Sequence, residues 1–445
     1  MMEMEAWALV MFGVAIVFLL LGYPVAFTLG AVAMLFGGVF LGFDFFNLLP
    51  LRIWGIMTNF TLLAVPMFVL MGVVLEKSGI AEELLETMGL LFGRIRGGLA
   101  VSIVAVGALL AATTGVVGAS VVTMGIIALP ALLKHGYQRE LSCGTIAASG
   151  TLGQIIPPSI ILILLGDVIG VPVGSLFTAA VAPGLLLIAL FIVYIMLVAW
   201  WRQDLAPPVD ASRMVSSDGA SLLRRVMKGL IPPLLLVMAV LGSIFLGIAS
   251  PTESAAVGAL GAMILALLNK RFPLSSLQDA LRQTTRMTSM VFMILIGATA
   301  FGLVFRGMGG DMLVEDLMMQ VPGEQWGFLA VSMALIFVLG FFLDFLEICF
   351  IVVPILAPIA SLMGIDLLWF AVLVAMNLQT SFLTPPFGFS LFYLKAAAPA
   401  EIKINHIYKG VIPFVLIQLL VLVLLVVWPE ITLWLPEMMD RLQGF

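Results

Sequence analysis

The stretch GTLGQIIPPSIIL, residues 150–162, places two adjacent prolines inside a strongly apolar run. Proline has no amide donor and its ring clashes with the carbonyl four residues earlier, so Pro157 and Pro158 interrupt a helix that reaches them. A break at membrane depth is tolerated only where the freed backbone groups line a protein-buried or water-filled cavity. The stretch therefore predicts a membrane helix that is broken at a functional site.

The composition places the chain in the membrane. Hydrophobic residues make up 62% of the sequence and charged residues 10%, and the mean hydropathy is +1.22. These values exclude an ordinary soluble domain. Continuous apolar runs of about 17–25 residues recur along the chain, which favours helices over the alternating pattern of a barrel strand. We predict an all-α polytopic membrane protein.

Ten runs are long and apolar enough to be read as spans, at roughly 6–21, 24–43, 58–76, 140–170, 175–201, 229–248, 252–269, 286–306, 367–395 and 410–435. The N-terminal run follows Glu3 and Glu5 without a basic residue, which favours a first span over a cleavable signal peptide. Two further stretches, 98–134 and 326–363, break near their middle at TTGVVGAS (113–120) and LDFLE (343–347). Each is either two spans or a re-entrant hairpin.

The distribution of basic residues gives the orientation. With the N-terminus outside, 17 of the 20 lysines and arginines fall in cytoplasmic connections, as the positive-inside rule expects. Two full spans or a hairpin at each interrupted stretch give the same parity, so charge does not choose between them.

An internal repeat favours the hairpins. A shift of 228 residues aligns the pair Pro157–Pro158 with Pro385–Pro386, and it also aligns Gly79 with Gly307 and Pro130 with Pro358. Each copy then holds three spans, a hairpin, and two spans of which the first carries the proline pair. The number of crossings per copy is odd, so the second copy is inverted. Inverted repeats with broken helices are typical of secondary transporters, and a duplicated channel or membrane enzyme is the alternative.

The chemistry available at the breaks suits small ions. Carbonyls of residues 149–156 would offer partial negative charge to Na⁺, and a new helix whose first turn holds Pro157 or Pro158 would offer amides to a carboxylate. In the second copy, Asp344 and Glu347 are ionisable residues in an apolar stretch, which is a functional-site hypothesis by default. The alternative is that both lie in water or pair with a polar neighbour.

Enzyme and disulfide chemistry find little support. Cys143 and Cys349 both lie in apolar segments, and the two histidines, His135 and His406, are too far apart for an HExxH pattern. We therefore expect neither catalysis nor a metal site other than one for Na⁺, and no nucleic-acid partner.

The run from 136 to 187, which contains GTLGQIIPPSIILILLGDVIGVPVGSLFTAAVAPG, resembles the central motif of the large membrane subunit of TRAP transporters, the tripartite ATP-independent periplasmic transporters of bacteria and archaea. SPTESAAVGAL (250–260), residues 364–394 and the N-terminal LLLGYPVAFTLG resemble further motifs of that subunit. The resemblance covers nearly the whole chain. It implies a multi-pass protein of the cytoplasmic (inner) membrane.

The resemblance also implies a Na⁺-coupled elevator-type importer of small organic acid anions. Its transport domain would comprise 98–170 and 326–395, each a hairpin plus a broken helix. Its scaffold would comprise 1–97, 171–325 with a cytoplasmic linker near 203–228, and 396–445, with arm helices at 80–93 and 308–320. The implied partners are a small four-span membrane subunit and a periplasmic substrate-binding protein.

Carried over by position, the resemblance implies two Na⁺ sites and a substrate site between the hairpin tips. The first Na⁺ site would use Gly115, Val116, Gly118, Ser120, Ser149, Gly150, Thr151, Gly153, Gln154 and Pro157. The second would use Asp344, Glu347, Gln379, Thr380, Ser381, Thr384 and Pro385. Substrate contacts are expected from Thr113, Thr114, Ser120, Ser159 and Thr380.

The chain departs from the family pattern in two places. Many members have a serine-rich first tip where this chain has TTGVVGAS, and many have glutamate where it has Gln379. The competing function is a stand-alone Na⁺- or proton-coupled organic anion symporter without a binding protein.

Overall fold

A computed structural model describes residues 2–93, 95–114, 117–208, 222–269 and 272–443, and every regular element in these ranges is helical. Seven of its helices are long and apolar enough to cross a bilayer, and the bent pair Phe43–Met57 with Thr61–Lys77 is an eighth candidate. The prediction of an all-α polytopic membrane protein is confirmed.

The described residues of the first half form ten α-helices. They are α1 (Met2–Leu20), α2 (Val25–Phe40), α3 (Leu49–Met57), α4 (Ala64–Lys77), α5 (Ile80–Phe92), α6 (Gly98–Thr114), α7 (Val117–Lys134), α8 (Arg139–Thr151), α9 (Ile160–Ile169) and α10 (Val173–Trp201).

The second half contains twelve described helices, two of them joined to the next by a π-helical turn. They are α11 (Leu222–Arg225), α12 (Ile231–Phe245), α13 (Pro251–Leu268), α14 (Leu274–Gly307), α15 (Gly310–Met319), α16 (Glu324–Leu339), α17 (Phe345–Glu347), α18 (Val353–Leu362), α19 (Leu367–Leu383), α20 (Phe389–Ala397), α21 (Ile404–Val427) and α22 (Glu430–Gln443). The π turns are Val226–Leu230 and Ile348–Val352.

The order of elements repeats at the predicted shift of 228 residues. That shift carries the bounds of α7, 117–134, onto 345–362, the bounds of the continuous helix α17–α18. The packing repeats as well. Helix α2 packs on α14 while its counterpart α13 packs on α4, the counterpart of α14. The two halves therefore exchange equivalent contacts, as two copies of one unit related by a pseudo-two-fold axis do.

The two broken helices occupy the centre of the molecule. Every residue from Leu141 to Thr151 in α8 and from Trp369 to Leu383 in α19 is buried. Helix α8 lies against α21 so closely that a methyl group on Gly144 would collide with the carbonyl of Gly410. Small residues at such a crossing allow the two backbones to approach. The first break, 152–159, is buried apart from the half-buried Ile156, whereas Pro386 and Phe387 of the second break are exposed.

Several predicted boundaries hold and others shift. The stretches 80–93 and 308–320, predicted as arms, contain the helices α5 and α15, and α13 begins with a capping box in which Ser250 and Glu253 bond each other's backbone amides. The second hairpin breaks at 340–344, which overlaps the predicted LDFLE (343–347) only at Leu343 and Asp344, because Asp344 caps a new helix that already includes Glu347. The serine-rich part of the predicted linker, 209–221, lies outside the described residues.

Candidate functional site

The first hairpin, α6 and α7, packs on the first helix break. The turn Leu152–Gln154 contacts both of its helices. A Cβ on Gly107 of α6 would lie 2.6 Å from Cβ of Ser149, and one on Gly150 would collide with the Val121 side chain of α7. The structure therefore brings this hairpin onto the predicted Na⁺-binding stretch 149–157.

The second hairpin, α16 with α17–α18, packs on the second break in the same way. A Cβ on Gly340, at the hairpin break, would collide with the Ser381 hydroxyl. The rings of Phe345 and Phe382 lie 6.4 Å apart between centroids. Residues predicted for the second Na⁺ site, Asp344 and 380–385, thus lie on elements in direct contact.

The proline pair lies between helices rather than inside one. Helix α8 ends at Thr151, a 3₁₀ turn continues to Gln154, and α9 begins at Ile160. The prediction that a first helical turn holds Pro157 or Pro158 is wrong. The reason is local: Ser159 has the extended conformation of an N-cap residue (φ −112°, ψ 134°), so the helix begins after it. The Pro157–Pro158 and Pro385–Pro386 peptide bonds are both cis.

A serine bridges each break. Ser159 Oγ donates to the carbonyl of Gln154 at 2.9 Å, and Ser390 Oγ donates to the carbonyl of Phe382 at 2.9 Å. The shift of 228 residues carries residue 154 onto residue 382, so the serine in each half bonds the equivalent carbonyl. The bridges fix the geometry of the interrupted backbone in both halves.

Five other hydroxyls near the breaks share one bonding pattern. Each donates to a carbonyl three or four residues earlier in its own helix, as seen for Ser149, Thr151, Thr380, Ser381 and Thr384. A hydroxyl that donates its proton keeps lone pairs on oxygen. These groups are therefore oriented as acceptors toward whatever lies beside the helix, and a cation is the partner that suits them.

Two glutamines are the exceptions to this bonding. Gln154 and Gln379 are fully buried at 0% exposure, and neither the amide nitrogen nor the amide oxygen of either side chain has a hydrogen-bond partner. Leaving a buried polar group unsatisfied costs about 1–3 kcal/mol. Most buried polar side chains in proteins are hydrogen-bonded, so this pair of unpartnered amides beside the two helix breaks is unusual.

Asp344 and Glu347 form a capping box. Asp344 Oδ1 accepts from the Phe345 amide at 2.8 Å, and Glu347 Oε2 accepts from the Asp344 amide at 3.0 Å. Each carboxylate therefore has a structural role at the start of α17, which is the polar pairing given as the alternative. A capping carboxylate keeps acceptor capacity on its oxygens, so the geometry leaves room for a second role.

The structure does not describe every residue of the predicted site. Gly115 and Val116 lie outside the described residues, as do the side chains of Thr113 and Thr114. Ser120 is buried in α7. Gly118 contacts Tyr393 of α20, whose ring atoms lie 3.1–3.3 Å from a Cβ placed on Gly118.

The remaining predicted residues differ in burial. Gly153 and Pro157 are buried within the first break, whereas Pro385 is half-buried.

Two residues near the site were missed from sequence. Gln418 Nε2 of α21 lies 3.4 Å from Thr151 Oγ1, and its own amide oxygen is unpartnered. The signal was present, because Gln418 is a lone amide in the apolar run FVLIQLLVLV. Tyr393 carries no such signal, since its place against Gly118 depends on contact between the two halves.

Comparison with known proteins identifies the family. The family model described as "Tripartite ATP-independent periplasmic transporter, DctM component" matches residues 12–431. The C4-dicarboxylate TRAP transporter large permease DctM of Pseudomonas aeruginosa is 30% identical over 390 residues, which cover 87% of this chain and 89% of that protein. The sialic acid TRAP transporter large permease SiaM of Vibrio cholerae is 30% identical over 418 residues, covering 94% and 95%.

The ectoine TRAP transporter large permease TeaC of Halomonas elongata is 28% identical over 428 residues, covering 95% of this chain and 97% of that protein. Among solved structures, the YdaH transporter of Alcanivorax borkumensis matches with a TM-score of 0.62 at 16% identity, over 93% of this chain and 98% of that one, which is a likeness of fold. This chain belongs to the DctM component family of tripartite ATP-independent periplasmic transporters, and it is a multi-pass inner-membrane transporter subunit rather than an enzyme.

Proposed function

We propose that this chain is the large permease of a Na⁺-coupled importer of small organic acid anions. The observation that carries the proposal is the pair of buried, unpartnered glutamines, Gln154 and Gln379, each beside a helix break. An amide oxygen, freed carbonyls and hydroxyl lone pairs form the all-oxygen environment that a hard cation prefers. Unwound carbonyls bind Na⁺ in other transporters with broken helices.

The substrate site lies between the two hairpin tips. Helices α9 and α20 both begin just beyond a proline pair, so their first amides and the positive ends of their dipoles point toward the breaks. That arrangement suits a carboxylate. The relatives named for C4-dicarboxylates, sialic acid and ectoine support a small organic metabolite, and the carboxylate is the group that the helix ends would recognise.

Transport proceeds by an elevator movement. The moving part consists of the hairpins α6–α7 and α16–α18 with the broken helices α8–α9 and α19–α20. The remaining spans form the scaffold, and α5 and α15 are the arms between the two parts. Close contacts at Gly150 and Gly340 join each hairpin to its broken helix within the moving part.

A small four-span membrane subunit and a periplasmic binding protein complete the assembly. The alternative is a self-sufficient symporter coupled to Na⁺ or protons. Large apolar side chains, including Phe43, Leu51, Trp54 and Phe60, are exposed on the segment around α3. Lipid and a second subunit would cover such a face alike, so it does not choose between the two functions.

Reconstitution into liposomes tests both parts of the proposal. Uptake of labelled succinate, sialic acid and pyruvate is measured under an imposed Na⁺ gradient, with and without the proteins encoded beside this chain. We expect uptake only with the partners, abolished when K⁺ replaces Na⁺. Uptake indifferent to Na⁺ would refute the coupling, and full uptake by this chain alone would establish the stand-alone symporter.

A further inference from the structure

A cavity of about 600 Å³ lies apart from the two helix breaks and contains none of the predicted Na⁺-site residues. One wall comes from α14 and from the segment around α3, with Arg52 and Arg306. The opposite wall comes from α9 and from the second hairpin, with Asp167 and Pro354. The cavity therefore straddles the boundary between the proposed scaffold and the proposed moving part.

The charges in this cavity are unusual for its side of the membrane. The orientation that places 17 basic residues in the cytoplasm leaves three outside, Arg52, Arg306 and Arg441. Two of these three line the cavity. Because basic residues are sparse on the outer side, their convergence in one cavity indicates a local need for positive charge.

Both guanidinium groups are available to a ligand. Within the described residues, neither Arg52 nor Arg306 lies within ion-pair distance of a carboxylate, and Arg306 makes one long hydrogen bond of 3.4 Å to the carbonyl of Pro354. Asp167 is the acidic side chain among the lining residues, and its Oδ1 accepts from Asn59 Nδ2 at 2.6 Å. Two cations face one carboxylate, so the cavity carries net positive charge.

We propose that this cavity is an outer vestibule that binds the carboxylate of the incoming organic anion through Arg52 and Arg306. The identity of the anion rests on the proposed function. A guanidinium binds a carboxylate through two parallel hydrogen bonds, and apolar side chains such as Phe45, Ile56 and Leu303 would contact its carbon skeleton. The volume is in the range of small-molecule sites.

The vestibule would serve capture before transport. Positive charge in a cleft with apolar walls raises the local concentration of an anion and its rate of entry about 10-fold or more. A lipid phosphate carries the same oxyanion chemistry, so the test separates a soluble carboxylate from a lipid headgroup.

Thiol labelling tests the vestibule without requiring transport. Thr299 lines the cavity, and the native Cys143 and Cys349 are buried, so Thr299→Cys supplies the reactive thiol. In phosphatidylcholine nanodiscs, the labelling rate with anionic methanethiosulfonate ethylsulfonate is divided by the rate with its cationic trimethylammonium analogue. We expect Arg52→Gln with Arg306→Gln to lower this ratio about 10-fold. An unchanged ratio would overturn the proposal.

Matched variants separate charge from folding. Arg441→Gln removes the third outer arginine, away from the cavity, and should leave the ratio unchanged. Arg52→Lys with Arg306→Lys keeps both charges and should keep most of the ratio. Each single glutamine variant should lower the ratio in part, so the proposal can be judged even where the double variant folds poorly.

Two further measurements identify the ligand in the cavity and the side of the membrane on which the cavity opens. Millimolar succinate should slow anionic labelling in phosphatidylcholine and lose that effect in the double glutamine variant. Slowing by phosphatidylglycerol but not by succinate would assign the cavity to a lipid headgroup and overturn the substrate role. Right-side-out membrane vesicles should label faster than inside-out vesicles. Since labelling needs no Na⁺ gradient, a failure of Na⁺ coupling would leave these results unaffected.

Discussion

At Gln154 and Gln379 the chain buries two amides where leucine, a side chain of similar volume, would leave no polar atom unpaired. Replacing a buried polar group by an apolar group of the same shape is often neutral for protein stability, or increases it, when no partner is left unpaired. We therefore expect each glutamine to lower the stability of the protein unless a bound partner satisfies its amide. A residue that lowers stability in the absence of ligand is expected to act when ligand is bound.

Gln154→Leu and Gln379→Leu should separate stability from function. We expect the apparent melting temperature of either purified variant in Na⁺-free buffer to equal or exceed that of the parent, because an unsatisfied amide has been removed. Na⁺-dependent uptake in proteoliposomes should fall at least about 10-fold, the loss expected from one polar contact to a charged group.

Ser332→Ala provides the control for the glutamine variants. Ser332 Oγ is likewise buried without a partner, but it lies in α16 before the hairpin break. Its removal should leave uptake unchanged. Full Na⁺-dependent uptake by both leucine variants would show that the orphan amides are not Na⁺ ligands.

Asp344 requires a variant that keeps its cap and removes its charge. Asn caps a helix about as well as Asp, whereas Ala costs about 1 kcal/mol. We expect Asp344→Asn to keep the melting temperature of the parent and to raise the Na⁺ concentration for half-maximal uptake about 10-fold. Asp344→Ala should show that transport defect together with lower thermal stability.

The exposed capping box supplies the comparison for Asp344. Ser250→Ala removes a cap of the same kind at the start of α13, and it should lower stability without changing the Na⁺ dependence. If Asp344→Asn transports like the parent at every Na⁺ concentration, the capping box is its whole role.

Residue roles were predictable from sequence where they depend on chemical type. Asp344 and Gln154 stand out because polar groups are costly in an apolar run, and the structure gives each of them an unusual environment. Tyr393 and Arg306 could not be found this way. Their surroundings are formed by elements far apart in sequence, and neither the spacing nor the composition of their own segments records those contacts.

At the scale of elements, the contact between hairpin and broken helix depends on glycine. A methyl group on Gly150 would collide with Val121, whereas a methyl group on Gly13 in α1 would meet nothing within 4 Å. Overpacking a close helix contact typically costs about 1–3 kcal/mol, and glycine to alanine in an open helix position gains up to about 1 kcal/mol.

Gly150→Ala should therefore lower both the melting temperature and the uptake rate, because it separates the first hairpin from the first break. Gly13→Ala should leave the uptake rate unchanged and the melting temperature unchanged or raised. The two variants are compared in the same detergent and in the same liposomes. Equal melting temperatures and uptake rates for the two variants would show that the hairpin contact is not required.

Element boundaries were predictable where a local rule sets them. Helices α5 and α15, the proposed arms, begin at Ile80 and Gly310, each after a glycine with positive φ, Gly79 and Gly309. Helix α3 was missed because its short apolar run merges with its neighbours, and the bend of 56° before α4 is set by tertiary packing. The predicted last span, 410–435, is divided between α21 and α22, with Pro429 in the gap between them.

At the scale of the whole molecule, the hydrogen bonds that cross the proposed sliding boundary include a short one between Asn59 and Asp167. Asn59 precedes α4 of the scaffold, and its Nδ2 donates to Oδ1 of Asp167 in α9 of the moving part at 2.6 Å. An elevator movement must break this contact in every cycle. The internal repeat predicts the two repeat units. It does not predict which end state of the elevator movement the structure shows, because both end states satisfy the same sequence pattern.

A cross-link at this position tests the movement. Asn59→Cys with Asp167→Cys, in a background with Cys143→Ala and Cys349→Ala, is treated with a short bifunctional thiol reagent. We expect the cross-link to abolish uptake, because the two parts can no longer slide. Each single-cysteine variant should have the same uptake rate with the reagent as without it.

The control places the same cross-link inside one proposed unit. Ser243 Oγ and Ser254 Oγ lie 2.9 Å apart on α12 and α13, both scaffold helices. Ser243→Cys with Ser254→Cys should cross-link as readily and transport as before, because these helices keep their contact throughout the cycle. Loss of uptake on cross-linking both pairs would indicate that the scaffold itself rearranges. Unimpaired uptake with Asn59→Cys and Asp167→Cys cross-linked would refute an elevator that slides at this boundary.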